Sequence, residues 1–243
     1  MKSNIEIIAM IYKSTEYLDF IYQQLKDSYC LAGGWDVRLR IVANDATDDV
    51  LKRLKEVDIP FSIYTDPKPD DFYLNRVYRC WNYCVESSQY ENVCLVNSDM
   101  AFSKNWLTNL LKHHDGINIP CSRLVESTKM PSGLHGIENN CGRCPSDFNL
   151  ATFTGFAEQV SEDTIVAGGL FMPVIFKRSR FIESGMYPEG NIYSGGIGES
   201  HTEFMKSGDA YFFYDVLESK FEMKHVTVFN SIVYHIQEGE KDS

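Results

Sequence analysis

The hydrophobic pattern over about the first 115 residues alternates between short apolar runs and apolar positions at helical spacing. The runs at residues 5–11, 37–43, 61–64 and 93–96 predict buried strands, because parallel strands are covered on both faces. Between them, apolar residues recur every three or four positions, most clearly over residues 77–85, which predicts helices. Strands that alternate with helices predict an α/β fold with a mostly parallel sheet.

The second half of the chain carries a weaker pattern. From about residue 120 to residue 162, Cys, Pro, Gly and Asn are scattered without a sustained period, which predicts an irregular excursion. Beyond it, apolar spacing predicts helices near residues 178–185 and 209–221. Two short late strands are expected at residues 226–229 and 232–234.

Composition and charge limit the possible partners. Neither a repeat nor a linker interrupts the sequence, so one domain over residues 1–243 is expected, with halves at about 1–115 and 116–243. Against 34 acidic side chains there are 23 basic ones, a net charge of −11, which argues against a nucleic-acid partner. A few local Arg or Lys residues with a divalent cation would still bind a small diphosphate.

The distribution of apolar residues also bears on location. No segment approaches the roughly 20 apolar residues that span a bilayer, and the N-terminus lacks a signal-peptide pattern, so we expect no transmembrane segment and a cytoplasmic protein. The seven cysteines fit reduced thiols better than a disulfide framework. Four of them lie in or beside apolar segments and are expected to be buried: Cys30, Cys80, Cys84 and Cys94.

A Cys-x-x-Cys pair, Cys141 and Cys144, lies in the excursion. With Cys121 and His135 upstream it would supply four zinc ligands, although the spacing matches no standard zinc ribbon or knuckle. Loop thiols are the simpler interpretation, and both stay open.

Polar clusters follow three of the predicted strands, at residues 12–15, 44–48 and 97–99. In open α/β sheets, ligands bind outside the carboxyl ends of the strands. Each cluster alone is typical of an ordinary turn or helix cap, but together they predict one binding site.

Two of these clusters resemble motifs of the inverting family 2 glycosyltransferases. The sequence Ile-Val-Ala-Asn-Asp-Ala-Thr-Asp at residues 41–48 is similar to that family's strand followed by Asp-Asp-Gly-Ser-x-Asp. The sequence Cys-Leu-Val-Asn-Ser-Asp at residues 94–99 is similar to its strand-borne Asp-x-Asp motif. The resemblance implies a GT-A fold, a Rossmann-like, mostly parallel sheet flanked by helices. The first half would then bind the nucleotide, and a smaller second half would face the acceptor.

The activity that the resemblance implies is transfer of a sugar from a nucleoside-diphosphate sugar, with a UDP-sugar favoured, to a hydroxyl acceptor such as a glycan. It implies Mn²⁺ or Mg²⁺ as cofactor, with Asp99 as a ligand, because hard cations prefer oxygen ligands. Asn97 departs from the acidic motif, and Ser98 lies between the two. His235 resembles the late His that some members contribute to the metal.

Nucleotide contacts are implied for two residues of the helix around residues 75–87. The family places an Arg about six positions before an Asn on this helix, which matches Arg76 and Asn82; Arg79 is the second candidate. Both Arg residues also fit a solvated helix face. Tyr12, Asn44 and Asp45 join them at the strand ends, together with Asn97 and Ser98.

The catalytic base is implied at the start of the helix at residues 209–221. Gly208 and Asp209 resemble the family's Glu-Asp pair, whose Asp takes the acceptor proton, with Gly in place of Glu. Asp209 also fits a plain N-cap, at a helix start that lowers a carboxyl pKa unless burial compensates. Glu199 is the rival base, because it lies with His201 in a Gly-rich loop.

Two other functions compete with the transferase. A nucleotidyltransferase usually opens with a Gly-rich loop that binds the triphosphate, and residues 11–15 contain no Gly. A non-catalytic nucleotide-sugar binding module stays open, because Asn97 and Gly208 both replace acidic motif residues.

Overall fold

The structure, a computed structural model, describes residues 3–28, 33–68, 72–128 and 133–237. The expectation that Cys30 is buried falls outside these residues.

The first half of the chain forms the predicted strands and helices and one additional short strand, β5. In chain order they are β1 (Asn4–Ile11), α1 (Thr15–Ser28), β2 (Asp36–Asn44), α2 (Asp48–Glu56), β3 (Phe61–Tyr64), α3 (Tyr73–Glu86), β4 (Asn92–Asn97), β5 (Met100–Phe102) and α4 (Trp106–Lys112). Side-chain caps begin two of the helices, since the hydroxyls of Ser14 and Thr47 accept hydrogen bonds from the first turns of α1 and α2.

The second half contains more regular structure than its sequence pattern predicts. In chain order it forms β6 (Asn118–Glu126), β7 (Gly136–Glu138), α5 (Leu150–Val160), β8 (Ile165–Ala167), β9 (Val174–Lys177), α6 (Arg178–Glu183), β10 (Ile192–Tyr193), β11 (Gly196–Ile197), β12 (Phe204–Lys206), the helical segment α7 and β13 (Lys224–His235). α7 consists of Gly208–Ala210, a π-helical stretch Tyr211–Glu218 and Ser219–Phe221.

Two expectations for this half are wrong. The segment at residues 120–162 is not irregular throughout, because it contains most of the inner strand β6 and all of α5. Its strand was hidden because buried polar residues interrupt the apolar run: Ser122 is fully buried and exchanges a 2.7 Å hydrogen bond with Ser231. The two late strands are one strand, β13, in which the register with β6 shifts between Val228 and Ile232.

One large sheet runs through both halves of the chain, in the order β3-β2-β1-β4-β9-β6-β13-β5. β1 pairs in parallel with β2 and β4, and β2 pairs in parallel with β3. β9 is antiparallel to both β4 and β6, and β13 is parallel to β6. The strands β1, β2, β3, β4, β6 and β13 therefore all point in one direction, and their carboxyl ends lie along one edge.

Helices pack on this sheet and complete the α/β fold that the sequence predicts. α3 contacts β1 and β2, α4 contacts β6 and β13, and α5 contacts β13. A separate three-stranded sheet, β11-β10-β12, lies outside the main one. In the part of the chain that is described, no helix has the length and apolarity needed to cross a bilayer. Cys80, Cys84 and Cys94 are buried free thiols, as expected.

A buried ion pair ties α3 to the sheet. The Arg40 guanidinium on β2 donates to Glu6 Oε2 on β1 at 3.1 Å and to the Cys84 carbonyl on α3 at 2.8 Å. It also donates to the Ser87 hydroxyl, just after α3, at 3.0 Å. Because removal of one partner leaves the other charge buried and unpaired, we expect this contact to matter for the position of α3.

Arg40→Met should lower the free energy of unfolding by about 3 kcal/mol or more, because it leaves the Glu6 carboxylate without its counter-charge. Urea unfolding measures the loss. Arg53→Met is the matched control, since Arg53 pairs with Asp19 and Glu56 at the exposed surface, and its loss should cost much less stability than the loss of Arg40. Equal effects of the two substitutions would contradict this role for Arg40.

Candidate functional site

The parallel strand ends bring the predicted polar clusters to one edge of the sheet. Asn97 at the end of β4 pairs in register with Met10 of β1, two residues before Tyr12. Asn44 at the end of β2 lies opposite Tyr64 at the end of β3. β6 and β13 end at the same edge, with Glu126 directly opposite His235. Residues far apart in sequence therefore line one surface.

Asp99 and His235 form an ion pair at this edge. Asp99 lies in the turn between β4 and β5, and its Oδ2 is 3.4 Å from His235 Nε2. The backbone holds the pair in place, because the Ile236 amide donates to the Asp99 carbonyl at 2.9 Å. Asp99 Oδ1 is buried and has no hydrogen-bond partner among the described residues. This oxygen can therefore accept a hydrogen bond or bind a cation.

A residue that sequence reasoning missed completes this arrangement. Glu126, at the end of β6, lies with its Oε1 3.1 Å from His235 Nδ1, and it is 2% exposed. Although burial disfavours the charged imidazole, the two carboxylates, Asp99 first, raise the pKa of His235 to about 10. No motif marked Glu126, because it ends the strand in the segment predicted to be irregular.

The chemistry of this centre fits a divalent cation held by two protein ligands. A carboxylate oxygen and an imidazole nitrogen face each other from β4 and β13, and both are acceptable ligands for Mn²⁺. The described residues contain no group of three or more His, Cys, Asp or Glu side chains that could hold a metal. Any cation at Asp99 and His235 would therefore need oxygens from a bound ligand or from water.

Tyr12 and Arg76, two of the residues expected to contact the nucleotide, are brought together. An Arg76 nitrogen donates to the Tyr12 hydroxyl at 2.8 Å, and the guanidinium carbon lies 5.1 Å from the centre of the Tyr12 ring. The Lys13 ammonium lies 4.6 Å from the same ring centre. This end of β1 therefore combines an aromatic face with two cations.

The end of β2 offers two unsatisfied acceptors. Asp45 adopts a left-handed backbone conformation with φ of 48°, and its Oδ1 accepts a hydrogen bond from the Asp66 amide at 3.2 Å. Its Oδ2 is buried and has no hydrogen-bond partner in the described part of the chain. The same holds for Oδ1 of Asn44, which is 3% exposed. Buried acceptors without partners are costly, so a donor from a ligand would be well accommodated here.

Arg79 does not share the position of Arg76. Its Nε lies 3.0 Å from Asp66 Oδ2, its Nη2 donates to the Asp66 carbonyl at 2.9 Å, and its side chain is only 5% exposed. Arg79 thus holds the loop at Asp66, and the Asp66 amide in turn donates to Asp45 Oδ1. Asn97 and Ser98 are half-buried in the turn that leads to Asp99.

Asp209 lies at the start of α7, where that helix meets α3. Its backbone amide donates to the Tyr78 hydroxyl at 3.2 Å, and its Oδ1 accepts from the Ala210 amide at 2.7 Å. Burial raises the pKa of Asp209, and the hydrogen bonds at the helix start oppose this effect without cancelling it. Burial therefore outweighs the effect of the helix start on the pKa of Asp209. The raised pKa makes this carboxylate a stronger base.

A side chain does not fit at Gly208 without a shift of its neighbours. A Cβ at this position would lie 2.5 Å from the Gly190 carbonyl and 2.7 Å from the Tyr78 ring. The Gly208 amide donates to Asn191 Oδ1 at 3.0 Å, which attaches the start of α7 to the residue before β10. The backbone is therefore closely packed at the residue before Asp209.

Glu199, the rival base, has a different environment. Its side chain is 48% exposed and its Oε2 lies 3.3 Å from His201 Nε2. The loop that carries it packs against α3, because a Cβ at Gly190 would lie 2.7 Å from Asn75 Oδ1 and 3.0 Å from the Cα of Gly198. Glu199 thus lies in an exposed loop close to the first turn of α3, whereas Asp209 is mostly buried.

The four candidate zinc ligands have hydrogen-bond partners of other kinds. Cys121 and His135 both contact the Thr227 hydroxyl, at 3.5 Å and 2.8 Å. Cys141 lies 3.4 Å from the Asn139 amide nitrogen, and Cys144 lies 3.2 Å from the Ser146 hydroxyl. No zinc cluster forms from these residues in the described part of the chain.

If Mn²⁺ binds between Asp99 and His235, its affinity should rise about tenfold per pH unit between about pH 6.5 and pH 8. His235 has a pKa near 10 and is protonated in this range, so Mn²⁺ must displace one proton. Calorimetry in buffers of different ionisation enthalpy measures the released proton. Asp99→Asn should abolish the binding, and an affinity independent of pH would contradict proton displacement from His235.

Comparisons with solved structures place the fold among the GT-A glycosyltransferases. The chain is similar to GalNAc-T7 with UDP, GalNAc and Mn²⁺, at a TM-score of 0.57 and 11% identity, over 96% of this chain and 44% of that one. It is similar to the Pyrobaculum calidifontis mannosyltransferase PcManGT in complex with GDP-Man and Mn²⁺, at 0.55 and 11%, over 96% and 56%. Residues 1–349 of S. aureus TarS match at 0.57 and 11%, over 96% and 60%.

The chain spans about half of the length of these structures. No protein-family model matches the sequence, and no curated protein matches it. At 11% identity the likeness shows the fold alone: a GT-A glycosyltransferase fold with a central, mostly parallel sheet flanked by helices.

Proposed function

We propose that this protein is a metal-dependent, inverting glycosyltransferase that uses a nucleoside-diphosphate sugar. The observation that carries the proposal is the pairing of Asp99 with His235 at the sheet edge where Tyr12, Arg76 and Asp45 also lie. Two of the structures with the same fold contain Mn²⁺ with UDP or GDP-Man, which supports a donor of this class.

The nucleoside would bind at the ends of β1 and β2. Asp45 Oδ2, a buried acceptor without a partner among the described residues, suits a ring N–H of a nucleobase such as uracil. Tyr12 and Arg76 would contact the base and the phosphates, since an aromatic face and a guanidinium serve both groups. We favour a UDP-sugar, although the guanine of GDP also carries a ring N–H that can donate a hydrogen bond.

The diphosphate would bind beside Asp99 and His235. A divalent cation there supplies Lewis-acid stabilisation of the charge that develops on the leaving diphosphate. Asn97 and Ser98, in the same turn, would orient the donor with their side-chain polar groups. Because the protein has a net charge of −11, local neutralisation of the diphosphate is needed for it to bind at all.

Asp209 would act as the base that takes the proton from the hydroxyl of the sugar acceptor. The acceptor oxygen attacks the anomeric carbon, the bond from that carbon to the diphosphate breaks, and the hydroxyl proton moves to Asp209. A raised pKa suits this task, since a carboxylate at an ordinary pKa is a weak base near neutral pH. Glu199 would instead contact the acceptor from its exposed loop.

Calorimetry with a panel of nucleoside diphosphates and their sugars, with and without Mn²⁺, tests the donor class. We expect binding of one nucleotide that requires Mn²⁺ and that weakens at least tenfold in Asp45→Leu, because a buried acceptor is lost. Lys55→Met, on the distant exposed face of α2, is the control. Binding of no panel member would sink the proposal, whereas binding without turnover of any donor would favour the non-catalytic module.

Slow hydrolysis of the bound donor, or transfer to an acceptor, distinguishes the two candidate bases. Asp209→Asn should lower kcat by about 10²- to 10⁴-fold with little change in donor affinity, because the amide cannot take a proton. Glu199→Gln should stay within a few fold of wild type. The reverse pattern would assign the base to Glu199.

The pH profile provides a second readout of the same base. kcat/KM should fall as pH drops through the raised pKa of Asp209, so the acidic limb lies above the ordinary range of an aspartate. In Asp209→Asn this limb should disappear.

A further inference from the structure

We propose that Glu126 is a positioning residue that holds the His235 ring so that Nε2 faces Asp99. This inference rests on the metal site of the proposed function and adds a residue that no motif assigns. The geometry is a line of three side chains, with Glu126 Oε1 3.1 Å from Nδ1 and Asp99 Oδ2 3.4 Å from Nε2.

The sheet determines this geometry through its backbone. His235 lies directly opposite Glu126 on β6 and opposite Met100 on β5, so strand pairs on both sides set its position along β13. The pairing continues beyond the strand ends, where the Thr128 amide donates to Gln237 Oε1 at 2.9 Å. The His235 ring can therefore change its orientation only by rotation about its own side-chain bonds. The contact with Glu126 opposes that rotation.

The chemistry of a histidine ligand gives Glu126 its task. A neutral imidazole binds a metal through one nitrogen and carries its proton on the other. A carboxylate that accepts the Nδ1–H leaves the Nε2 lone pair directed at Asp99. Carboxylates in this position fix the tautomer and ring orientation, and their loss typically weakens metal affinity 10- to 100-fold.

The burial of Glu126 agrees with this task. The side chain is 2% exposed, and a carboxylate in such a site needs a hydrogen-bonded partner. Glu138 on β7 lies directly opposite Glu126 on β6, and Glu138 is exposed. Two glutamates thus lie side by side on adjacent strands, and one of them contacts His235.

The test compares Glu126→Gln with Glu126→Leu. Both substitutions remove the same negative charge, but only Gln keeps an oxygen that can accept the Nδ1–H. Mn²⁺ alone is titrated into each purified full-length protein, and the free ion is followed by electron paramagnetic resonance. Pulsed measurements then detect the ¹⁴N coupling of an imidazole bound to Mn²⁺. Glu138→Gln is the control, and urea unfolding verifies that each variant is folded.

We expect Glu126→Gln and Glu138→Gln to bind Mn²⁺ within a few fold of wild type, with the ¹⁴N coupling retained. Glu126→Leu should bind about 10- to 100-fold more weakly and lose the coupling, because the ring is free to turn away. If Glu126→Leu does not fold, Glu126→Ala replaces it with the same expectation.

Three results would overturn the inference, and they are distinguishable. If Glu126→Leu keeps its affinity and coupling while Asp99→Asn loses Mn²⁺, the metal site stands and Glu126 has no positioning task. If Glu126→Gln is as weak as Glu126→Leu, the charge matters and the orientation does not. If wild type binds no Mn²⁺, the metal site of the proposed function fails as well. A protein that binds Mn²⁺ as expected but transfers no sugar would leave this inference intact.

Discussion

The parallel pairing of β13 with β6 is the constraint on which the candidate site depends. It carries His235 from the end of the chain to the edge where β4 delivers Asp99, and it places Glu126 on the other side of the ring. The register of β13 with β6 shifts between Val228 and Ile232, and β13 also pairs with β8 in its first part and with β5 in its last.

A second contact joins the two halves of the chain around α3. This helix is fixed to the sheet by Arg40 and to the second half by Tyr78, which accepts a hydrogen bond from the Asp209 amide. The absence of a side chain at Gly208 is what permits that approach, since a Cβ would meet the Tyr78 ring. The helix that carries Arg76 therefore also holds the start of α7, where Asp209 lies.

The electrostatics of the site follow from burial and from the two carboxylates beside His235. Asp99, Glu126 and Asp209 are carboxylates in a protein that is already acidic, and each is mostly shielded from water. His235 compensates two of them and has a raised pKa as a result, whereas Asp209 has no cation beside it in the described residues and has its pKa raised by burial. Two different causes therefore act at the two ends of the site, neighbouring carboxylates at His235 and burial at Asp209.

The sequence by itself determined the α/β class, the parallel first half and the polar clusters at the strand ends, because local periodicity and order along the chain carry that information. It also indicated Asp99, Arg76, Asp209 and His235, though only through resemblance. The tertiary structure alone decided that β6 is an inner strand, that Arg79 supports a loop, and that Glu126 contacts His235. Those facts depend on pairings between distant residues, such as Ser122 with Ser231, in which polar side chains are satisfied by partners that no local pattern reveals.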